Sequence, residues 1–323
     1  MPSNHALKLT SAAIDRAILQ AACGRARTLT IIRYAAGRLG VHMNRSNPLF
    51  FALALVFALS REGASQAAYL PDTVIVRSGP LLLHALLWQP QGTGPFPAIL
   101  VNHGSYLANE SLQPDDPGAL GPLFGRRGYV CLVLFRRGVG PSADQGPPEG
   151  ELMGRALAEH GQTGRNRVQL ELLEGEALNE ALAGLGYLRG LPAVDPVRIA
   201  VVGHSFGGSL SILLAARDST LRAAILFGAA AGSWDSSPEL QGRLMAAVHE
   251  ARASMFFIHA SNDYSVASGK SLAAELQRIG KTHRLTIYPR FGSTTRAGHN
   301  LVFRSLNTWE RDVFAFLKTH LSR

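Results

Sequence analysis

The thirteen residues Arg198–Leu210, RIAVVGHSFGGSL, limit the fold more than any other stretch of the chain. An apolar run, Ile199-Ala200-Val201-Val202, stops at Gly203-His204-Ser205-Phe206-Gly207, and an apolar-rich segment of helical length follows at once. A short buried strand running straight into a helix is the repeating unit of a parallel sheet with crossover helices. From residue 68 onward the pattern recurs. Thr73–Val76 and Leu81–Trp88 flank Ser78-Gly79-Pro80 and read as an antiparallel pair. Strands follow at Ala98–Val101, Tyr129–Phe135, Arg198–Val202, Leu221–Phe227, Met255–His259 and Arg284–Tyr288. Helices are expected at Leu120–Arg127, Val168–Arg189, Ser205–Arg217, Ser268–Gly280 and Trp309–His320. Polar, Gly-rich residues 144–167 read as a cap or rim. The expected fold is α/β, a mostly parallel central sheet flanked by helices, in a single domain over residues 68–323.

Composition alone makes a Gly-x-Ser-x-Gly pentad weak, since one arises by chance about once in four chains of this length. Its setting between strand and helix makes it informative. A serine on so tight a turn sits in a strained backbone conformation, and side chains at the flanking positions would collide, so Gly203 and Gly207 remove them. Ser205 is therefore the expected nucleophile. A serine hydroxyl needs a base, and the base needs an acid to orient it. In a parallel sheet both belong on loops beyond later strands, the acid before the histidine. Asp263 follows the strand 255–259, with Asp235 in GSWDSS as the alternative. His299, after the last strand and beside Gly298, is the expected base. His84, His103, His204, His249, His259, His283 and His320 lie before the serine, at strand ends or in helices, and are given no role. The oxyanion requires two N–H donors. Phe206, next to the nucleophile, is one; Ser105, after the strand 98–101, is the other, with Tyr106 beside it as a candidate substrate contact. Arg136 and Arg137 sit at a strand end, where an Arg-Gly-x-Gly-x-Ser turn reads first as a structural feature and second as a contact for an anionic substrate.

Charge is unevenly spread. The first 67 residues hold eight Lys and Arg against Asp15 and Glu62, a balance of +6 of the chain's +9. The remainder is too weakly charged to expect a nucleic-acid partner. Within the extension a basic start from Met43 leads into the apolar run LFFALALVFALS at 49–60 and then to Ser65-Gln66-Ala67. That order is expected of a secretory signal cleaved after Ala67, with secretion or a periplasmic location, and the run falls short of the ~20 residues that span a bilayer. An uncleaved anchor at 49–60 is the alternative. The signal either starts at Met43 or has residues 1–42 as a long basic leader. Cys23 and Cys131 are the two cysteines; Cys131 lies in an apolar run and reads as a buried, inert thiol. No metal-ligand spacing occurs, and no cofactor is expected.

Several stretches in order, PFPAILVNHGS, FRRGVGPS, VDPVRIAVVGHSFGG, FIHASNDYSV and AGHN, resemble the α/β-hydrolase fold over residues 71–321. Within it the chain is similar to the dienelactone-hydrolase-like and prolyl-oligopeptidase-like serine hydrolases. The resemblance implies a Ser205–Asp263–His299 triad with Phe206 and Ser105 as oxyanion donors. Dienelactone hydrolases carry a cysteine at the nucleophile position, where this chain has Ser205. Prolyl oligopeptidases carry a large N-terminal propeller that about seventy residues cannot build. The expected function is hydrolysis of carboxylic esters through an acyl-enzyme on Ser205. A small peptidase or amidase using the same residues, and a non-catalytic binding protein on the same fold, are the alternatives.

Overall fold

The computed structural model describes residues 69–107 and 117–322, and its residues from Tyr69 onward form one compact unit. The apolar run 49–60 and the signal reading lie outside the described residues. Among the described residues, no helix is long and apolar enough to cross a membrane.

In chain order the elements are β1 (Asp72–Ser78), β2 (Leu81–Trp88), β3 (Phe96–Asn102), α1 (Leu120–Arg126), β4 (Val130–Leu134), α2 (Glu149–Glu174), α3 (Glu176–Arg189) and β5 (Val194–His204). They continue as α4 (Phe206–Arg217), β6 (Ala223–Phe227), α5 (Pro238–Glu250), β7 (Ser254–Ala260), α6 (Ala267–Arg278) and β8 (His283–Tyr288). Three helices close the chain: α7 (Thr295–His299), α8 (Leu301–Arg304) and α9 (Leu306–Leu321). The strands form one eight-stranded sheet in the order β1-β2-β4-β3-β5-β6-β7-β8. β1 and β2 pair antiparallel, as do β2 and β4, and every other pair is parallel. The expected α/β architecture is the observed one.

Alternation along the central strands fills two cores. Ala98, Leu100, Ile199 and Val201 point to one face, where α3, α4 and α5 pack. Ile99, Val101, Ala200 and Val202 point to the other, against α1 and α9. Strands buried on both faces read as unbroken apolar runs, which is why β3 to β7 are legible in sequence. Helix α4 is buried from Phe206 to Ala215, as a helix apolar all round must be.

The chain runs from β3 outward to β4, then crosses back to place β5 on the other side of β3. This reversal opens a crevice between the loops leaving β3 and β5, the place where open α/β sheets bind ligands. Of the stretch expected as a cap or rim, residues 149–167 are helical: α2 starts at Glu149 and kinks where Gly161 takes φ 65°. Its four glycines and mostly exposed, polar face blur the helical period in the sequence. The helix expected over 168–189 is also broken, because Gly175 leaves the helical region between α2 and α3.

Candidate active site

Ser205 occupies the turn between β5 and α4 with φ 56° and ψ −117°, one of two described non-glycine residues at positive φ. Its N–H donates to Phe227 O at 2.8 Å, which ties the turn to β6. A side chain at Gly203 would place Cβ 2.2 Å from Gly207 O, and one at Gly207 would place Cβ 2.1 Å from Asn102 O. Backbone stands too close on both sides of the serine for anything larger than hydrogen. Strain of this kind costs on the order of 1–3 kcal/mol and is held in place by its surroundings.

Ser205, Phe206, Ser105 and His299 line one cavity of about 280 Å³. The loop leaving β3 lies against the serine: a Cβ at Gly104 would stand 3.5 Å from Ser205 Cβ. Phe206 is the first residue of α4, so its N–H has no acceptor one turn back in the helix. His299 ends α7, which Thr294 caps through its hydroxyl on the Ala297 N–H at 3.0 Å. Its Nδ1 donates to Asp263 Oδ1 at 2.6 Å. That assigns the proton to Nδ1, because the carboxylate only accepts, and leaves Nε2 for a partner in the cavity. Asp263 is buried just beyond β7 and also receives the Tyr264 N–H at 2.7 Å and His259 Nδ1 at 2.9 Å. Burial would raise its pKa, but the hydrogen bonds from His259 and His299 hold it well below the usual carboxylate range. The alternative acid, Asp235, is exposed on the turn Trp234–Ser236.

Supports around these residues were not foreseen from the sequence. Asn262 fastens the loop after β8: its amide donates to Phe291 O at 3.0 Å and Thr294 O at 2.8 Å, and its carbonyl accepts from Phe291 N at 2.9 Å. Three histidines that the sequence left without a role surround the site. His259 holds the far oxygen of Asp263. His204 packs its ring 4.7 Å from that of His299, and its Nε2 meets His299 O at 3.0 Å. His103 accepts the Arg136 N–H at Nε2 (3.0 Å), and its Nδ1 donates to Gly104 O at 2.6 Å. Burial, and then the nearby Arg136 guanidinium, push His103 well below the usual imidazole range, so it stays neutral.

Arg136 is buried and ion-paired with Glu149, the first residue of α2. It donates to His103 O at 2.9 Å and Gly104 O at 3.0 Å, and its guanidinium lies 5.4 Å from the Phe206 ring centroid. Arg137 pairs with Glu176 and Glu180. Both arginines therefore serve the framework, and the substrate-contact alternative for them is set aside. Tyr106 rests edge-on against His103, ring centroids 5.3 Å apart. Among the described residues, the aromatic side chain lining the cavity beside Phe206 is that of Tyr264. Arg165 and Gln169 of α2 and Ser233 beyond β6 form a polar wall. The Cys131 thiol is buried in β4, and burial pushes its pKa up. Among the described residues no cluster of His, Cys, Asp and Glu could hold a metal ion.

An eight-stranded sheet, a serine on a strained strand-to-helix turn and an acid–histidine pair beyond later strands define the α/β-hydrolase class. A sequence model of the dienelactone hydrolase family matches residues 83–319, and the chain belongs to that family. Among solved structures it is similar to a dienelactone hydrolase from Anabaena variabilis, at 17% identity and TM-score 0.53, over 78% of this chain and 99% of that one. It is also similar to the acylaminoacyl peptidase of Pyrococcus horikoshii, at 16% identity and TM-score 0.60, over 82% of this chain but 43% of the peptidase. A curated relative, polyketide transferase grgF of a Penicillium species, is 28% identical over 195 residues, 57% of each chain. The chain thus spans little more than half of that relative and less than half of the peptidase.

Proposed function

We propose that the chain is a serine hydrolase that cleaves carboxylic esters through an acyl-enzyme on Ser205. The observation that carries this reading is the meeting of Ser205, His299, Ser105 and Phe206 on one cavity, with Asp263 bound to the far nitrogen of His299. His299 Nε2 takes the hydroxyl proton as Ser205 Oγ bonds to the ester carbonyl carbon. The carbonyl oxygen, now negative, is met by the N–H groups of Ser105 and Phe206, each such donor being worth about 3–4 kcal/mol. The bond to the leaving alkoxide breaks, and the alkoxide takes the proton from His299. Water then gives a proton to His299 and attacks the acyl carbon. Ser205 Oγ leaves and recovers that proton, releasing the acid. Asp263 stays ionised and stabilises the imidazolium in both halves. No step requires a metal or organic cofactor.

Arg165 bears on the substrate. Its hydrogen bonds among the described residues go to neutral acceptors, Gln169 Oε1 at 3.1 Å and Ser233 Oγ at 3.4 Å. Partial burial makes the unpaired charge costly and lowers its pKa. A guanidinium held this way favours esters that carry an anionic group. The residue order over 43–67 supports export, which sequencing the N-terminus of the mature protein checks.

The test compares p-nitrophenyl esters with the matching p-nitroanilides, for the parent and Ser205→Ala. Ester turnover lost in the variant supports the reading. Preferential cleavage of anilides replaces it with the peptidase or amidase alternative. A folded parent that cleaves neither favours a binding role.

A further inference from the structure

Asp263 is shared between two imidazoles. His299 Nδ1 binds Oδ1 at 2.6 Å, and His259 Nδ1 binds the other oxygen, Oδ2, at 2.9 Å. His259 stands near the end of β7, on sheet backbone, and its side chain is fully buried. The loop after β7 folds back so that Asp263, four residues on, meets it. We propose that His259 is a positioning residue for the reaction at Ser205: it fixes the carboxylate of Asp263 so that Oδ1 faces His299. This rests on the hydrolase reading above.

The physical need is plain. The terminal torsion of an aspartate is broad and roughly two-fold, so a carboxylate held through one oxygen can rock about that bond. Rocking would lengthen or tilt the contact that sets the His299 tautomer and ring plane. A donor on the second oxygen, mounted on a strand, removes that freedom. The surroundings give up something to keep the imidazole there. His259 Nε2 is a buried polar atom with no hydrogen-bond partner among the described residues. Helix α6 carries Gly269 where it passes over the ring, and a Cβ there would stand 2.6 Å from Nε2. A residue kept only to fill space would be apolar and would need neither the orphan nitrogen nor a helical glycine. The bond to Asp263 accounts for both. Because the ionised carboxylate only accepts, His259 carries its proton on Nδ1, as His299 does.

Proton NMR of the full-length protein reads this without relying on turnover, with the kinetics of His259→Leu and His259→Asn beside it. The parent should show two slowly exchanging, downfield Nδ1–H resonances, both removed by Asp263→Asn. His259→Leu should shift or broaden the His299 resonance and lower kcat about tenfold or more, with KM little changed. His259→Asn, whose amide replaces Nδ1, should restore both to near the parent. A single downfield resonance in the parent overturns the proposal even if His259→Leu does not fold. So does a folded His259→Leu with the His299 resonance and kcat unchanged. Two coupled resonances in a folded parent that hydrolyses no ester would instead defeat the hydrolase reading, and the catalytic half of the proposal with it.

Discussion

The two sides of the Ser205 cavity are braced by different chemistry. Behind Ser105 and Phe206 stands a buried ion pair, Arg136–Glu149, whose guanidinium also clasps the carbonyls of His103 and Gly104. Behind His299 stand a carboxylate shared by two imidazoles and the amide of Asn262. The ion pair joins the loop after β4 to α2, so it holds framework as well as loop. The imidazole side holds one short loop and one ring. Damage to the first should therefore appear mainly in stability, and damage to the second mainly in rate.

The largest effect is expected on the imidazole side. Asp263→Asn should leave the fold intact and lower kcat by about 10⁴-fold, because the amide favours the wrong imidazole tautomer. Steady-state kinetics with circular dichroism checks this, and loss of fold instead of rate would erase the distinction between the two sides. Next comes Arg136→Met, which strands Glu149 as an unpaired buried charge and should cost about 3–5 kcal/mol in urea unfolding. Adding Glu149→Leu should recover much of that loss. If the single variant is neutral, the ion pair does not brace the loop. Asn262→Leu frees the loop that leads to His299 and leaves Phe291 N–H without its acceptor, so it should lower kcat while costing no more than about 1–3 kcal/mol in urea unfolding. Arg165→Gln belongs to neither brace and serves as a control. It should raise KM for an anionic ester about tenfold, the scale of one charge-assisted hydrogen bond, with stability equal to or slightly above the parent's in urea unfolding, since a costly unpaired charge is removed.

Acid titration sharpens the same contrast. The folded pKa of Asp263 lies below its unfolded value, so the stability it contributes is complete above the unfolded pKa of about 4 and is lost as pH falls through the folded one. Asp263→Asn removes that dependence, and its stability should fall less than the parent's between about pH 5 and pH 2.

What could be read from sequence follows from how local each constraint is. The turn at Ser205 was legible because backbone crowding acts over five consecutive residues and demands glycine at two of them. Asp263 and His299 were legible because chain order places them after successive strands. The supports were not. Arg136 and Glu149 are 13 residues apart and meet only once α2 is known to start at Glu149. His259 looks like any strand-end histidine until the loop after β7 brings Asp263 back to it. Asn262, in SNDY, looks like a turn residue, and its three bonds reach residues about thirty positions away. Tyr106 and Tyr264 show the same limit, since which tyrosine lines the cavity depends on where the β3 loop packs against His103.

The central claim is that Ser205 is an activated nucleophile, and covalent labelling tests it most directly. The full-length protein would be treated with a fluorophosphonate and the modified peptide mapped by mass spectrometry, with Ser205→Ala alongside. The account predicts one adduct, on Ser205, absent from the variant and slowed strongly in Asp263→Asn. A folded protein that takes no label, or takes it equally in Ser205→Ala, would contradict it.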